Sequence, residues 1–136
     1  MFKLARTMCT QPVAASLRTT ILHAVALMVR DISKFQERAF RAGILSMASN
    51  YLTDLSTSVR KSSASLLFVM FVGHTGSLLA ACSMLELQNG LREVAMEDWT
   101  TENFSCNEAE QALLLLSLAE RAAKSSDGQP RVDRDL

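Results

Sequence analysis

The sequence is poor in the two residues that most often interrupt regular structure, with five glycines and two prolines among 136 residues. An all-β sandwich or barrel would need a turn signal every 8–12 residues or so, and this scarcity argues against one. The composition, 49 % hydrophobic, also excludes collagen-like, low-complexity and acidic disordered chains. Because Ala, Leu, Ser and Met dominate, we expect an all-α protein of four to five helices with no sheet.

Cysteine and catalytic motifs are also scarce. Cys9, Cys82 and Cys106 form no CxxC pair, so we expect reduced thiols, without a disulfide framework or a structural zinc site. No glycine-rich nucleotide loop, zinc-protease motif or nucleophile elbow occurs, and the Gly73–Ser77 stretch lacks a phosphate-binding lysine. We therefore expect no enzyme, cofactor, metal or small-molecule substrate. Nucleic-acid binding is not expected either, since the basic residues do not alternate with aromatics.

The charges balance overall but are separated along the chain. Residues 1–61 carry nine basic and three acidic side chains, whereas residues 86–136 carry five basic and eleven acidic ones. No Asp, Glu, Lys or Arg occurs in residues 62–85. This pattern predicts three regions: a basic helical region over 1–61, an uncharged helix over 62–86, and an acidic helical region with a polar tail over 87–136.

The first 30 residues contain four basic side chains and no acidic one. Such a composition is typical of a mitochondrial targeting segment, and the alternative is an ordinary amphipathic first helix. We expect a helix over 12–31, with Pro12 in its first turn.

A second helix, either separate from the first or continuous with it, is predicted over 33–59 from apolar residues that recur three and four positions apart, with a bend or break at Ser49–Asn50. A basic row follows the same spacing. It is expected either to contact phospholipid head groups or an acidic partner, or to be a solvated face. Its members are Arg30, Lys34, Arg38 and Arg41.

The uncharged segment is long enough to cross a hydrocarbon layer of about 30 Å. Its residues 66–72 are apolar on every side of a helix, so none of those sides suits contact with water. The segment therefore predicts a transmembrane helix within 62–86, and a helix fully buried in a soluble bundle is the alternative. As a helix it would run over about 62–88.

Small residues recur four apart in this segment, and this spacing lets another helix approach closely. We predict a helix-packing interface with a neighbouring subunit there, in which His74 supplies a hydrogen bond. The predicted interface residues are Gly73, His74, Gly76, Ser77, Ala80 and Ala81.

The last third predicts a short helix within 90–98 and a longer one over 105–124. Ser105 and Glu108 have the spacing of a capping box at the start of the longer helix. Asp127-Gly128 predicts a turn after it, followed by a polar tail.

Taken together, these features predict a non-catalytic accessory subunit of a multi-subunit mitochondrial inner-membrane complex of the respiratory-chain or ATP-synthase kind. It would contact other subunits and phospholipid, with its N-terminus in the matrix. The alternative is a soluble helical-bundle adaptor or chaperone that binds a partner protein. The two differ in whether the apolar segment is buried against lipid or in the protein's own core.

Overall fold

The structure, a computed structural model, describes residues 14–100, 104 and 106–128. The first 13 residues of the predicted targeting segment, with Pro12, and the last eight residues of the predicted polar tail lie outside the described residues. So does Ser105, the predicted helix cap.

The described residues form seven α-helices and contain no strand. This confirms the all-α prediction, but the predicted number of helices is wrong. The helices are α1 (Ala15–Val29), α2 (Ser33–Arg41), α3 (Ile44–Tyr51), α4 (Thr57–Gly73), α5 (Thr75–Ala81), α6 (Leu85–Ala95) and α7 (Glu108–Gly128).

Helix α4 is the centre of the bundle and contacts all six of the other helices described. Its most extensive contacts are with α1 and then α7. Residues on every side of α4 are buried, among them Val59, Leu66, Leu67 and Met70. The apolar residues 66–72 are mostly buried because other helices of the same chain surround α4, and Val72 near its end is the exposed exception.

The predicted continuous helix over 62–88 is wrong. The segment forms the end of α4, the short helix α5 and the start of α6. His74 separates the first two with an extended backbone, φ −135° and ψ 102°. With 17 residues, α4 is about 25 Å long at 1.5 Å per residue, short of a hydrocarbon layer of about 30 Å. Of the helices described, none combines the length and apolar character that crossing a membrane requires.

The predicted helix over 33–59 is also divided. Gly43 ends α2 by adopting a left-handed backbone with φ +87°, which a residue without a side chain tolerates best. Helix α3 then continues through Ser49 and Asn50, where a bend or break was predicted. The second interruption comes before α4, where the Asp54 carboxylate accepts a hydrogen bond from the Ser56 amide at 2.9 Å.

The last two helices differ from expectation at their ends. Helix α6 is longer than the short helix predicted within 90–98 and begins earlier. At the start of α7 the Asn107 side-chain oxygen accepts a hydrogen bond from the Glu110 amide at 3.1 Å, so Asn107 caps this helix. The helix then continues through Asp127 and Gly128, where a turn was predicted.

Polar contacts around the start of α4 fix it to its neighbours. Arg60 donates to both carboxylate oxygens of Glu97, at 2.8 and 2.9 Å, and to the Asp54 carbonyl at 2.8 Å. The next residue, Lys61, is buried, donates to the Asp98 carbonyl and lies over the Trp99 ring. These contacts connect α4 with the segment that follows α6.

Candidate interaction site at helix α2

Helix α2 has one charged face and one buried face. Gln36 and Ala39 are buried against the bundle. The opposite side carries Lys34, Arg38 and Arg41, which are all exposed. We call these three residues the basic face of α2. Their spacing of four and three residues places them on one side of the helix.

Arg30 does not share this helix with the other members of the predicted basic row. It is exposed and follows α1, in the turn that leads to α2. Asp31 in the same turn has a left-handed backbone with φ +62°, a conformation that Asp adopts more readily than most side chains. Arg30 is therefore a fourth cation near α2, but it does not belong to the helix and does not continue the spacing of the basic face.

Gln36 connects α2 to the C-terminal end of α4 at a close approach. A side chain at position 73 would place its Cβ 2.1 Å from the Gln36 Nε2 atom. Gly73 therefore leaves the space that the buried Gln36 amide occupies.

His74 joins three helices through its ring nitrogens. Its Nε2 lies 2.6 Å from a carboxylate oxygen of Glu37 on α2, and its Nδ1 lies 2.8 Å from the Ser77 hydroxyl. The Ser77 amide also donates to Nδ1 at 3.0 Å, so the imidazole caps the first turn of α5. The Phe40 ring centroid is 5.1 Å from the imidazole, which fixes a further part of α2 against this junction.

Glu37 is the acidic member of this junction. Its hydrogen bond with His74, and then its hydrogen bond with Arg41 at 2.9 Å, hold the pKa of the Glu37 carboxyl below its usual value of 4.5. Glu37 is therefore the carboxylate partner of both a ring nitrogen and one cation of the basic face.

Ser77, His74 and Glu37 form a hydrogen-bonded series of serine, histidine and carboxylate, as in the catalytic triads of hydrolases. Ser77 is nevertheless not placed to act as a nucleophile. The Ser77 side chain is completely buried, and its own amide N–H donates to the Nδ1 atom that would act as base. The arrangement therefore serves to connect α2, α4 and α5.

A cleft of about 230 Å³ lies next to the junction, between the α1–α2 turn and the end of α4. We call it the α2 cleft. On its apolar side, Val72 is 64 % exposed and Phe68 is partly buried. The cleft thus offers an apolar surface with the cation Arg30 and the carboxylate of Asp31 in its wall. Its lining residues are Arg30, Asp31, Gln36, Phe68, Val69, Val72 and Gly73.

The six residues predicted as a helix-packing interface lie at the α4–α5 joint and in α5, and several of them contact helices of the same chain. Ser77 and Ala81 are completely buried, and Gly73 faces Gln36. Ala80 is partly buried, while Gly76 is exposed and lies against the His74 ring. An interface of these residues with another subunit stays a prediction.

Sequence reasoning missed Glu37 as the partner of His74, and Phe68 and Val72 as walls of a cleft. The spacing of Glu37 and Arg41 was a detectable signal for an ion pair within one helix. The pair with His74, 37 positions away, leaves no local signal.

Comparison with known proteins adds no relative: no family model, characterised protein or solved structure matches this chain. Among the residues described, no group of three or more His, Cys, Asp or Glu side chains is arranged to hold a metal ion.

Proposed function

We propose that the chain is a non-catalytic helical-bundle module that binds an acidic amphipathic helix of a partner protein. The α2 cleft would receive the apolar side chains of that helix, while Arg30 in the cleft wall and the basic face on the outer side of α2 would pair with its carboxylates. The observation that carries this proposal is an apolar cleft with the exposed Arg30 in its wall, beside a helix that carries three further exposed cations on its outer side.

The first support comes from the burial of the apolar segment. Leu66, Leu67 and Met70 are buried in the core of the chain itself. We therefore expect any site that binds a partner to lie on the surface of the chain. This arrangement favours the adaptor among the two functions that the sequence suggested.

The second support is the shape and charge of the surface. A concave cleft accepts individual side chains from a helix, as helix-in-groove recognition requires. Three cations spaced by four and three residues complement carboxylates with the same spacing on a partner helix. A flat layer of phospholipid head groups would reach the basic face but would leave the cleft unfilled.

The predicted role as an accessory subunit of a mitochondrial inner-membrane complex stays a prediction. In that setting the acidic helix would belong to another subunit. Fractionation of cells that express the tagged chain, followed by carbonate extraction of the mitochondrial fraction, tests the location and the membrane association separately.

Binding can be tested with a designed probe. The probe is a fluorescein-labelled amphipathic helix with leucines on one face, bordered by glutamates four and three residues apart. We expect saturable binding by fluorescence anisotropy. The double variant Lys34→Glu/Arg38→Glu should weaken it about tenfold or more, because reversed charges repel the carboxylates.

Two controls make the test specific. The variant Arg121→Glu/Lys124→Glu reverses two exposed cations on α7 and should bind the probe as the wild type does. A scrambled probe of equal composition and charge should bind much more weakly. Equal binding of both probes, or binding only to anionic phospholipid vesicles, would contradict the proposal.

A further inference from the structure

A second groove lies between α3 and α6. It is lined by acidic side chains, so its charge is opposite to that of the basic face of α2. It consists of two adjoining cavities of about 280 and 270 Å³, which share Ser49, Asn50 and Glu86 in their walls. Glu93 also lines the second cavity. Among the described residues, no Lys or Arg lines either cavity. We call the two cavities together the α6 groove.

The close approach of α6 to the end of α3 determines how the groove is built. A Cβ atom at Gly90 would lie 3.0 Å from the Leu52 side chain, so glycine lets the two helices meet there. Glu86 and Glu93 are exposed and lie seven residues apart, on the same side of α6. The nearby cation Arg92 donates to the Asn89 side chain at 2.7 Å.

Two cations of the basic face of α2 have the same spacing along their helix as Glu86 and Glu93 have along α6. Lys34 and Arg41 are also seven residues apart, which corresponds to about 10.5 Å along each helix. Arg38 between them would face the hydroxyl and amide oxygens of the groove. Arg41 is already paired with Glu37 at 2.9 Å, but its side chain is 78 % exposed, so docking would exchange a surface ion pair of small energy for one with the second copy.

We propose that the basic face of α2 of one copy of this chain docks into the α6 groove of a second copy. Lys34 and Arg41 of the first copy would pair with Glu86 and Glu93 of the second. The formal net charge of the chain at pH 7 is zero, so no overall repulsion opposes the approach of two copies. This inference depends on the two described surfaces only and does not require the proposed function.

The contact joins two different surfaces, so it is heterologous. The pair as a whole keeps one unused surface of each sign, the α6 groove of the first copy and the basic face of the second, which allows a further copy to add. Growth then gives a closed ring or an open chain. Occupation of the basic face by a second copy would also exclude an acidic partner helix from the same cations.

Sedimentation velocity of the full chain at increasing concentration tests the proposal. We expect association in about 0.01 M salt and its loss in about 1 M salt, where the screening length falls from roughly 30 to 3 Å. The variants Lys34→Glu/Arg41→Glu and Glu86→Lys/Glu93→Lys should each be monomeric, with the dissociation constant raised about tenfold or more. Mixed in equal amounts, they should associate again, because the unchanged basic face of one variant meets the unchanged groove of the other, and the two reversed surfaces also complement each other.

Two controls keep this result interpretable. Arg121→Glu/Lys124→Glu should associate as the wild type does, since it changes charge without touching either surface. Circular dichroism establishes that each variant is folded, and alanine replaces any reversed residue that prevents folding. A wild type that is monomeric at every concentration, or charge-reversed variants that associate like the wild type, would overturn the proposal. So would a mixture of the folded variants that stays monomeric.

Discussion

The imidazole of His74 and the carboxylate of Glu37 lie 2.6 Å apart and connect helices whose contact residues are 37 positions apart in the sequence. The link belongs to a small hydrogen-bonded group, in which Arg41 binds the same carboxylate and Ser77 binds the other ring nitrogen. It makes the position of α2 depend on the conformation at the α4–α5 joint.

We expect the stability contribution of Glu37 to depend on pH in a defined direction. Its pKa is lowered in the folded chain, so the contribution is complete above the usual value of 4.5 and is lost as the pH falls through the lowered value. Glu37→Gln should lower the melting temperature slightly at pH 7, with the difference vanishing in strong acid. Thermal unfolding across this range measures it. Glu93→Gln on α6 is the matched control, and an equal loss in both variants would contradict the prediction.

The cap at the start of α5 can be separated from the bond to Glu37. His74→Ala removes both and should lower the free energy of unfolding by about 1–2 kcal/mol. His74→Asn keeps a side-chain acceptor at the cap position and should recover part of that loss. Urea unfolding followed by circular dichroism gives both values. Equal stability of the two variants would show that the capping bond contributes nothing.

Gly43 is expected to tolerate substitution only by residues that accept a left-handed backbone. Apart from its immediate neighbours in the chain and helix, no atom of the described residues lies within 4 Å of the position a Cβ would take, so the effect isolates backbone conformation from packing. Gly43→Ala should cost about 1–2 kcal/mol of unfolding free energy, and Gly43→Asn should cost less. Chemical unfolding compares the two. A less stable Asn variant would contradict the assignment of strain to φ.

The two described cysteines should differ in reactivity. Burial raises the pKa of the Cys82 thiol, with a smaller effect from the Glu120 charge, whereas Cys106 is exposed. In a Cys9→Ser background, an aromatic disulfide reagent should modify Cys106 about tenfold faster than Cys82, because the thiolate is the reactive form. Mass spectrometry after digestion identifies the modified residue. The difference should disappear in denaturant, and a native Cys82 that reacts first would refute it.

The parts of the fold that could be predicted are those with local causes. Helical composition and periodicity predicted α1 and α7 to within a few residues. Gly43 was a visible signal for a break, but the apolar spacing on either side of it dominated the prediction. The division at His74 could not be predicted from periodicity, because residues 66–72 and the small residues after His74 read as one apolar segment. His74 breaks it through bonds to Glu37 and Ser77, and the first of these exists only in the folded chain.

The same distinction applies to the candidate site. The four cations were visible in the sequence, and the structure leaves them exposed. The α2 cleft was not predictable, because Arg30 and Val72 come from segments that meet only when α1, α2 and α4 pack together. The spacing of charges in a sequence can therefore indicate a binding face. The cleft could be found only from the tertiary structure.

The central position of α4 has a consequence for the order in which the chain can fold during synthesis. Helices α1, α2 and α3 leave the ribosome before α4, the helix against which α1 is most extensively packed. Until then Leu22 and Val25, both completely buried in the finished bundle, have no α4 surface to cover them. Of the described helices, α7, another extensive neighbour of α4, is completed last. The nascent chain therefore carries exposed apolar surface until α7 has been made, and this is the period in which it is most open to chaperones and to aggregation.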